Sequence, residues 1–170
     1  MSGGPVHVVV SVGTDHHRFD RLVDWVDHWV AAHADRARCT AQVGTSKRSA
    51  SGTSADLMAP DALQRAMVSA DAVVCHGGPG TVVDARRAGR EPIVVPRSAH
   101  LGEHVDDHQE RFARWMADRG RLVVATDEAE LHRLLDRTLT DRAAFLRPAG
   151  GEDVRRVADR FGQLVEGLLE

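Results

Sequence analysis

The sequence predicts an open α/β fold with a doubly wound parallel sheet, and three observations lead there. Short apolar runs rich in β-branched residues recur as Val6–Val12 (VHVVVSV), Ala72–Cys75, Ile93–Val95 and Leu122–Ala125, with Ala37–Val43 as a weaker case. Near-continuous apolar strands of this length suit a parallel sheet covered on both faces. Helical patterns lie between them, and such alternation implies βαβ units with right-handed crossovers. The length of 170 residues fits one domain, given the ~150 residues typical of one.

Taken in order, the first strand leads to a helix marked by Phe19, Leu22, Val23, Val26 and Val30 at helical spacing. After the Ala37–Val43 strand comes Gly44–Ser54 (GTSKRSASGTS), polar and small, which reads either as a mobile connector or as a lid over the carboxyl end of the sheet. Asp61–Ser69, Thr81–Ala88 and Glu128–Leu139 give three more helices. Val105, Phe112 and Met116 line one face of another, which Gly120 stops. Trp25, Trp29 and Trp115 fit helix faces and read as packing residues. Residues 1–150 therefore form the Rossmann-like domain. Beyond the Arg147–Gly151 linker, residues 151–170 form an amphipathic helix with Val154, Val157, Phe161, Leu164, Val165 and Leu168 on one side, either part of the same domain or docking on a partner.

Composition excludes several classes. The formal net charge is -3, without the basic bias of a general nucleic-acid binder. No apolar run approaches the ~20 residues that span a bilayer, so no direct membrane insertion is expected. The opening Met1–Pro5 lacks the basic and hydrophobic segments of a signal peptide. Cys39 and Cys75 are the only cysteines and make no disulfide framework. The expected location is the cytoplasm.

The chemistry concentrates in Cys75-His76-Gly77-Gly78-Pro79-Gly80-Thr81, followed by Val82-Val83-Asp84, where a strand gives way to a helix. Glycines let a backbone approach a ligand, and a helix start offers unsatisfied N–H groups and a positive dipole end. Together they make a phosphate site, although glycines also serve plain tight turns. A Walker loop needs Lys where Gly80 stands, and the dinucleotide fingerprint needs Gly where Val83 stands. Asp84 follows Thr81 by one turn, where a carboxylate can accept two ribose hydroxyls or simply complement the helix dipole. Adjacent strand residues point to opposite faces, so Cys75 and His76 cannot easily pair as a thiol dyad.

His76, Gly78, Thr81 and Asp84 at this spacing resemble the donor-nucleotide motif of GT-B glycosyltransferases. The run HGGPGTVVDARRAGREPIVVPR, then GEHVDDHQ, is similar to the C-terminal domain of glycosyltransferase family 28, and VSVGTDHHRFDRLV resembles the start of that family's small soluble subunits. The resemblance covers roughly residues 6 to 125. It implies the C-terminal half of a GT-B enzyme, with His76, Gly77, Gly78, Gly80 and Thr81 on a diphosphate and Asp84, where the family more often has Glu, on the ribose. It puts Gly13 and Thr14 near the phosphates, the base near Ala59 and Pro60, and Asp107, His108 and Gln109 on the sugar hydroxyls. The implied function is the donor-binding subunit of a split inverting glycosyltransferase that uses a UDP-sugar and a lipid-linked or polysaccharide acceptor. A membrane-associated acceptor-binding subunit would be its partner. A nucleotide-sugar 2-epimerase-like fragment and a non-catalytic nucleotide-sugar-binding protein are the alternatives.

Two histidine groups complete the candidates. His100, His104 and His108 would share a face if all were helical, but Leu101-Gly102 places His100 in a loop, so no metal site is expected, and the implied chemistry uses no cofactor. His16 and His17 follow the first strand at the edge of the expected cleft. His16 is the candidate catalytic base, while exposed loop histidines are usually neither bases nor ligands.

Overall fold

The computed structural model describes residues 3–149, 156 and 159–163. Six parallel strands form one sheet in the order β3-β2-β1-β4-β5-β6. They are β1 (Val6–Ser11), β2 (Ala37–Gln42), β3 (Gly52–Ala55), β4 (Ala72–Cys75), β5 (Ile93–Val94) and β6 (Val123–Val124). The helices are α1 (Asp20–Ala32), α2 (Pro60–Ser69), α3 (Pro79–Arg87), α4 (His108–Ala117) and α5 (Glu128–Thr140), with a short 3₁₀ turn at Ala99–Leu101.

Strand alternation decides which helix covers which face. Val6, Val8 and Val10 of β1 and Ala72 and Val74 of β4 pack with α1, α5 and Phe145. Val9 and Val73 point the other way, onto Met67 of α2 and Ala85 of α3, and Cys75 and Val94 meet Phe112 and Met116 of α4. The three central strands are buried along almost their whole length, which explains their unbroken apolar runs. Trp29 is buried in this core with its indole N–H donating to Asp136, 2.8 Å away, while Trp25 and Trp115 pack half-buried at its edges.

The polar segment after β2 holds a strand that its composition does not mark. Its last residues form the edge strand β3, paired in parallel with β2 from Cys39↔Gly52 to Gln42↔Ala55. A side chain at Gly52 would strike the Cys39 carbonyl, so the small residues of GTSA are what let this strand approach. The rest folds back onto α1. The Asp27 carboxylate accepts bonds from Ser49 Oγ, Ala50 N–H and Ser51 N–H, Asp20 accepts from Lys47 N–H, and Lys47 Nζ pairs with Asp24. The segment thus occupies the place of a crossover helix between β2 and β3; Thr45 Oγ donates to the His16 carbonyl and Ser46 Oγ accepts from Phe19 N–H, tying it to the loop after β1, and none of residues 44–54 lines the cleft.

The helix expected around Val105 begins later. Residues 102–107 form bends, Val105 is 76% exposed, and the α4 stripe starts at Gln109 and runs through Phe112 and Met116. Of the C-terminal helix face, Phe161 lies edge-on to Phe112 at 5.2 Å and against Trp115 at 5.3 Å, so that residue docks on α4. Val154, Val157, Leu164, Val165 and Leu168 lie outside the described residues, as does the placement of residues 151–170 as a unit.

β1 and β4 are neighbours, and the connections leave them in opposite directions along the sheet. Their carboxyl ends diverge there into a crevice, the usual place for a ligand in an open α/β sheet.

Candidate functional site

A cleft of about 1040 Å³ opens at that switch point, at the top of the ~300–1,000 Å³ range of small-molecule sites. Its floor is Ser11, Gly13 and Thr14 after β1, and His76 and Gly78 after β4. One wall is α3, through Gly80, Thr81, Asp84 and Arg87, and the opposite wall is apolar, with Leu57, Met58, Pro60 and Leu63. Gln109 closes one end.

The glycines of the motif divide into two kinds. A Cβ at Gly13 would stand within 3.0 Å of three atoms of the His76 ring, and a Cβ at Gly78 would do the same. Gly13 also has φ +79°, in the left-handed region. A Cβ at Gly77 would be 2.9 Å from both Cβ and the carbonyl oxygen of Gln109. These three glycines serve the protein's own packing. Gly80 differs, because a Cβ there meets nothing within 4 Å, so its backbone faces the open cleft.

His76 is the hub of the junction. Gly78 N–H donates to its Nδ1 at 3.2 Å, which leaves the ring proton on Nε2, 3.1 Å from the Thr81 hydroxyl. Burial, assisted by the nearby Arg97 guanidinium, pulls its pKa down to about 4. His76 is therefore a neutral donor at pH 7. The stabilisation of anionic charge that its position suggests cannot come from an imidazolium; its part is to set the loop and orient Thr81. Because Thr81 Oγ accepts from His76, its own hydrogen is free to point at a ligand.

The helix start adds backbone donors to the cleft wall. Gly78 N–H is used by His76 and Pro79 has none, but the N–H groups of Gly80 and Thr81 lie in the first turn, where no intrahelical acceptor exists. Two backbone donors without an intrahelical acceptor, one hydroxyl and the positive end of α3 thus lie together on the cleft wall at Gly80 and Thr81. Asp84 lies on the same helix wall, about half exposed, with Arg87 3.8 Å away. Arg87 was not singled out from the sequence, although its spacing of three from Asp84 puts it on that face.

Other expected residues fall in different places. Pro60 lines the cleft where a base was expected, together with Leu57 and Met58. Gln109 reaches the cleft, with its side-chain Oε1 accepting the Gly77 N–H at 3.1 Å. Asp107 and His108 do not line it. Asp107 faces Arg111 at 3.9 Å, and His108 lies near Asp106 and the Phe161 ring. His16 is 84% exposed, rests on His17 with ring centroids 4.0 Å apart, and also lies off the cleft lining. Cys75 is fully buried, and burial pushes its thiol up to about 12, which removes it from chemistry near neutrality. His100, His104 and His108 do not share a helix, since His100 sits in the 3₁₀ turn and His104 in the following bend.

Arg97 supports the floor from beneath and had no signal in the sequence. It is fully buried, donates to the carbonyl oxygens of Val12 (2.7 Å), His17 (2.8 Å) and Glu103 (2.9 Å), and lies over the Phe19 ring. It ties the loop after β1 to the segment after β5. Arg21 reinforces that tie with a two-pronged bond to the Glu103 carboxylate at 2.8 and 2.7 Å.

Fold and site together define a Rossmann-like α/β domain with a cleft at its switch point, walled by the start of α3 and the Asp84 carboxylate one turn along. The chain belongs to glycosyltransferase family 28: the family's C-terminal domain matches residues 7–160. It is 31% identical over 114 residues to a UDP-N-acetylglucosamine--N-acetylmuramyl-(pentapeptide) pyrophosphoryl-undecaprenol N-acetylglucosamine transferase of Nitratidesulfovibrio vulgaris, covering 65% of this chain and 30% of that one. A transferase of the same name from Geobacter metallireducens is 29% identical over 156 residues, 87% of this chain and 41% of the relative. The chain thus spans well under half the length of these relatives. Among solved structures, Acinetobacter baumannii MurG superposes with a TM-score of 0.57 at 20% identity, over 96% of this chain and 51% of that one. ALG13 superposes with a TM-score of 0.60 at 16% identity, over 91% of this chain and 94% of that one. These likenesses establish the fold as the C-terminal, Rossmann-like half of a GT-B glycosyltransferase.

Proposed function

We propose that this chain is the donor-binding subunit of a split, inverting glycosyltransferase, taking a hexose or N-acetylhexosamine from a UDP-sugar to a lipid-linked or polysaccharide acceptor. The observation that carries this reading is the convergence at α3. Gly80 opens onto the cleft, Thr81 lines it with its hydroxyl 3.1 Å from His76 Nε2, the N–H groups of both lie in the first turn of α3, and Asp84 lines the cleft one turn on, as do Leu57, Met58, Pro60 and Leu63. A nucleoside diphosphate matches that order: base against Leu57 and Pro60, ribose on Asp84, diphosphate on the helix start. The names of the relatives supply the donor class and a pyrophosphoryl-undecaprenol acceptor.

In this mechanism the chain's residues act on the leaving group. As the sugar–phosphate bond breaks, negative charge grows on the departing diphosphate, and preorganised backbone donors at a helix terminus stabilise it without rearranging. His76, neutral and held between Gly13 and Gly78, keeps the Thr81 hydroxyl aimed at that charge. Departure in this form requires no metal. The base that takes the acceptor's proton comes from the acceptor-binding partner, a membrane-associated subunit that would bring this chain to the cytoplasmic membrane face. Among the described residues no helix is long and apolar enough to cross a membrane.

The test is UDP release from UDP-N-acetylglucosamine and related UDP-sugars, by the chain alone and co-purified with a membrane protein encoded beside it. Transfer that depends on both proteins supports the reading. Free N-acetylmannosamine with UDP points instead to the epimerase, and donor binding without turnover to a sensor.

A further inference from the structure

Beside the cleft lies a cluster that the proposed transfer does not use. Asp15, His16 and His17 bring one ligand atom each within 4.8 Å of one another. A fourth group comes from the far side of the rim, where His104 Nε2 is 3.7 Å from Asp15 Oδ2. Asp15 Oδ1 lies 2.6 Å from His17 Nδ1 and 3.9 Å from His16 Nδ1, and the His17 and His104 ring centroids are 6.2 Å apart. A tetrahedral zinc site with bonds of about 2.0 Å places its donor atoms about 3.3 Å apart, and the three separations measured from the Asp15 carboxylate, 2.6, 3.7 and 3.9 Å, lie on either side of that value.

We propose that Asp15, His16, His17 and His104 form a site for a borderline divalent cation of the zinc type, pinning the loop after β1 to the segment after β5 at the cleft rim. One carboxylate and three imidazoles are a donor set suited to such an ion. The supporting shell is in place. His104 Nδ1 faces Asp106 at 3.2 Å, which leaves Nε2 directed at Asp15, the carboxylate–histidine arrangement that orients metal ligands. The His17 carbonyl is held by Arg97, whose guanidinium is turned onto main-chain oxygens instead of the cluster. Asp15, His17 and His104 are each about one-quarter exposed or less, so an ion can enter without the loops opening.

The experiment uses tag-free, chelator-stripped full chain. Zinc is added, excess is removed by dialysis, and metal is counted by mass spectrometry alongside thermal unfolding with and without zinc. The expected result is one zinc per chain and a higher Tm with zinc. Affinity should fall at least about tenfold in Asp15→Asn and in His104→Gln. His132→Gln is the control, because His132 belongs to a separate group around Glu128 and should leave binding unchanged. Both cluster variants are at the surface rim, and circular dichroism reports whether they fold. His16→Gln, at an 84% exposed position, gives a further variant that folding cannot confound. Absence of stoichiometric zinc in the unmodified chain, binding that survives Asp15→Asn or His104→Gln, or equal loss in His132→Gln would each overturn the proposal.

Discussion

Gly13 and His76 occupy adjoining space, because the imidazole lies where a side chain at position 13 would stand. The end of β1 and the end of β4 are thereby locked together at the switch point, and Gly78 closes on the same ring from the other side. Gly13→Ala and Gly78→Ala should each destabilise the fold by about 1–3 kcal/mol through overpacking, read by urea denaturation. Gly80→Ala meets no neighbour and should leave stability within about 0.5 kcal/mol, yet weaken nucleotide binding. Stability and binding should separate along the motif in this way.

The depressed His76 pKa has a stability consequence. The folded value lies near 4 and the ordinary value is 6.5, so between these pH values the unfolded chain holds a proton that the folded chain does not. Stability is intact above pH 6.5 and is lost as pH falls through the window toward 4. The slope from this group should approach about 1.4 kcal/mol per pH unit. His7, whose pKa burial also lowers, acts in the same direction. Denaturation from pH 7 to 4 should show a smaller acid loss in His76→Gln.

Arg97 predicts a geometric requirement. Its guanidinium serves three carbonyl oxygens at once, a pattern that a lysine ammonium on a flexible stem cannot reproduce. Arg97→Lys should cost about 2 kcal/mol or more and should also loosen the loop carrying Gly13 and Thr14. Calorimetry and urea denaturation on one preparation would show both effects, and an unchanged midpoint would refute this role.

Asp27 anchors the segment before β3 through three hydrogen bonds to Ser49, Ala50 and Ser51. Asp27→Ala should cost about 1–3 kcal/mol. Amide exchange at residues 50–55 should quicken, with α5 unaffected.

Much of this was legible in the chain. The central strands are apolar on both faces, so β1 and β4 stand out, and the HGGPGTVVD junction marks a strand-to-helix turn with free donors. What was hidden has physical reasons. The strand GTSA carries no apolar signature because it is an edge strand whose small residues matter for close approach to Cys39. Val105 continues the spacing of Phe112 and Met116, but the chain bends through residues 102–107, and periodicity does not record that. Arg97 looks like a surface residue in PRSAH, and only tertiary carbonyls explain its burial. In the site, spacing identified Thr81 and Asp84, while the division of labour among the glycines depended on where His76 and Gln109 packed.

The proposed function rests on a nucleoside diphosphate binding at the start of α3, with its ribose on Asp84. The most direct measurement is calorimetric titration of UDP into the unmodified chain, Asp84→Ala and Gly80→Ala. Saturable one-to-one binding is expected, weakened about tenfold or more when Asp84 is removed, as for a lost hydrogen bond to a charged acceptor. UDP that binds Asp84→Ala and Gly80→Ala as tightly as the unmodified chain would contradict it.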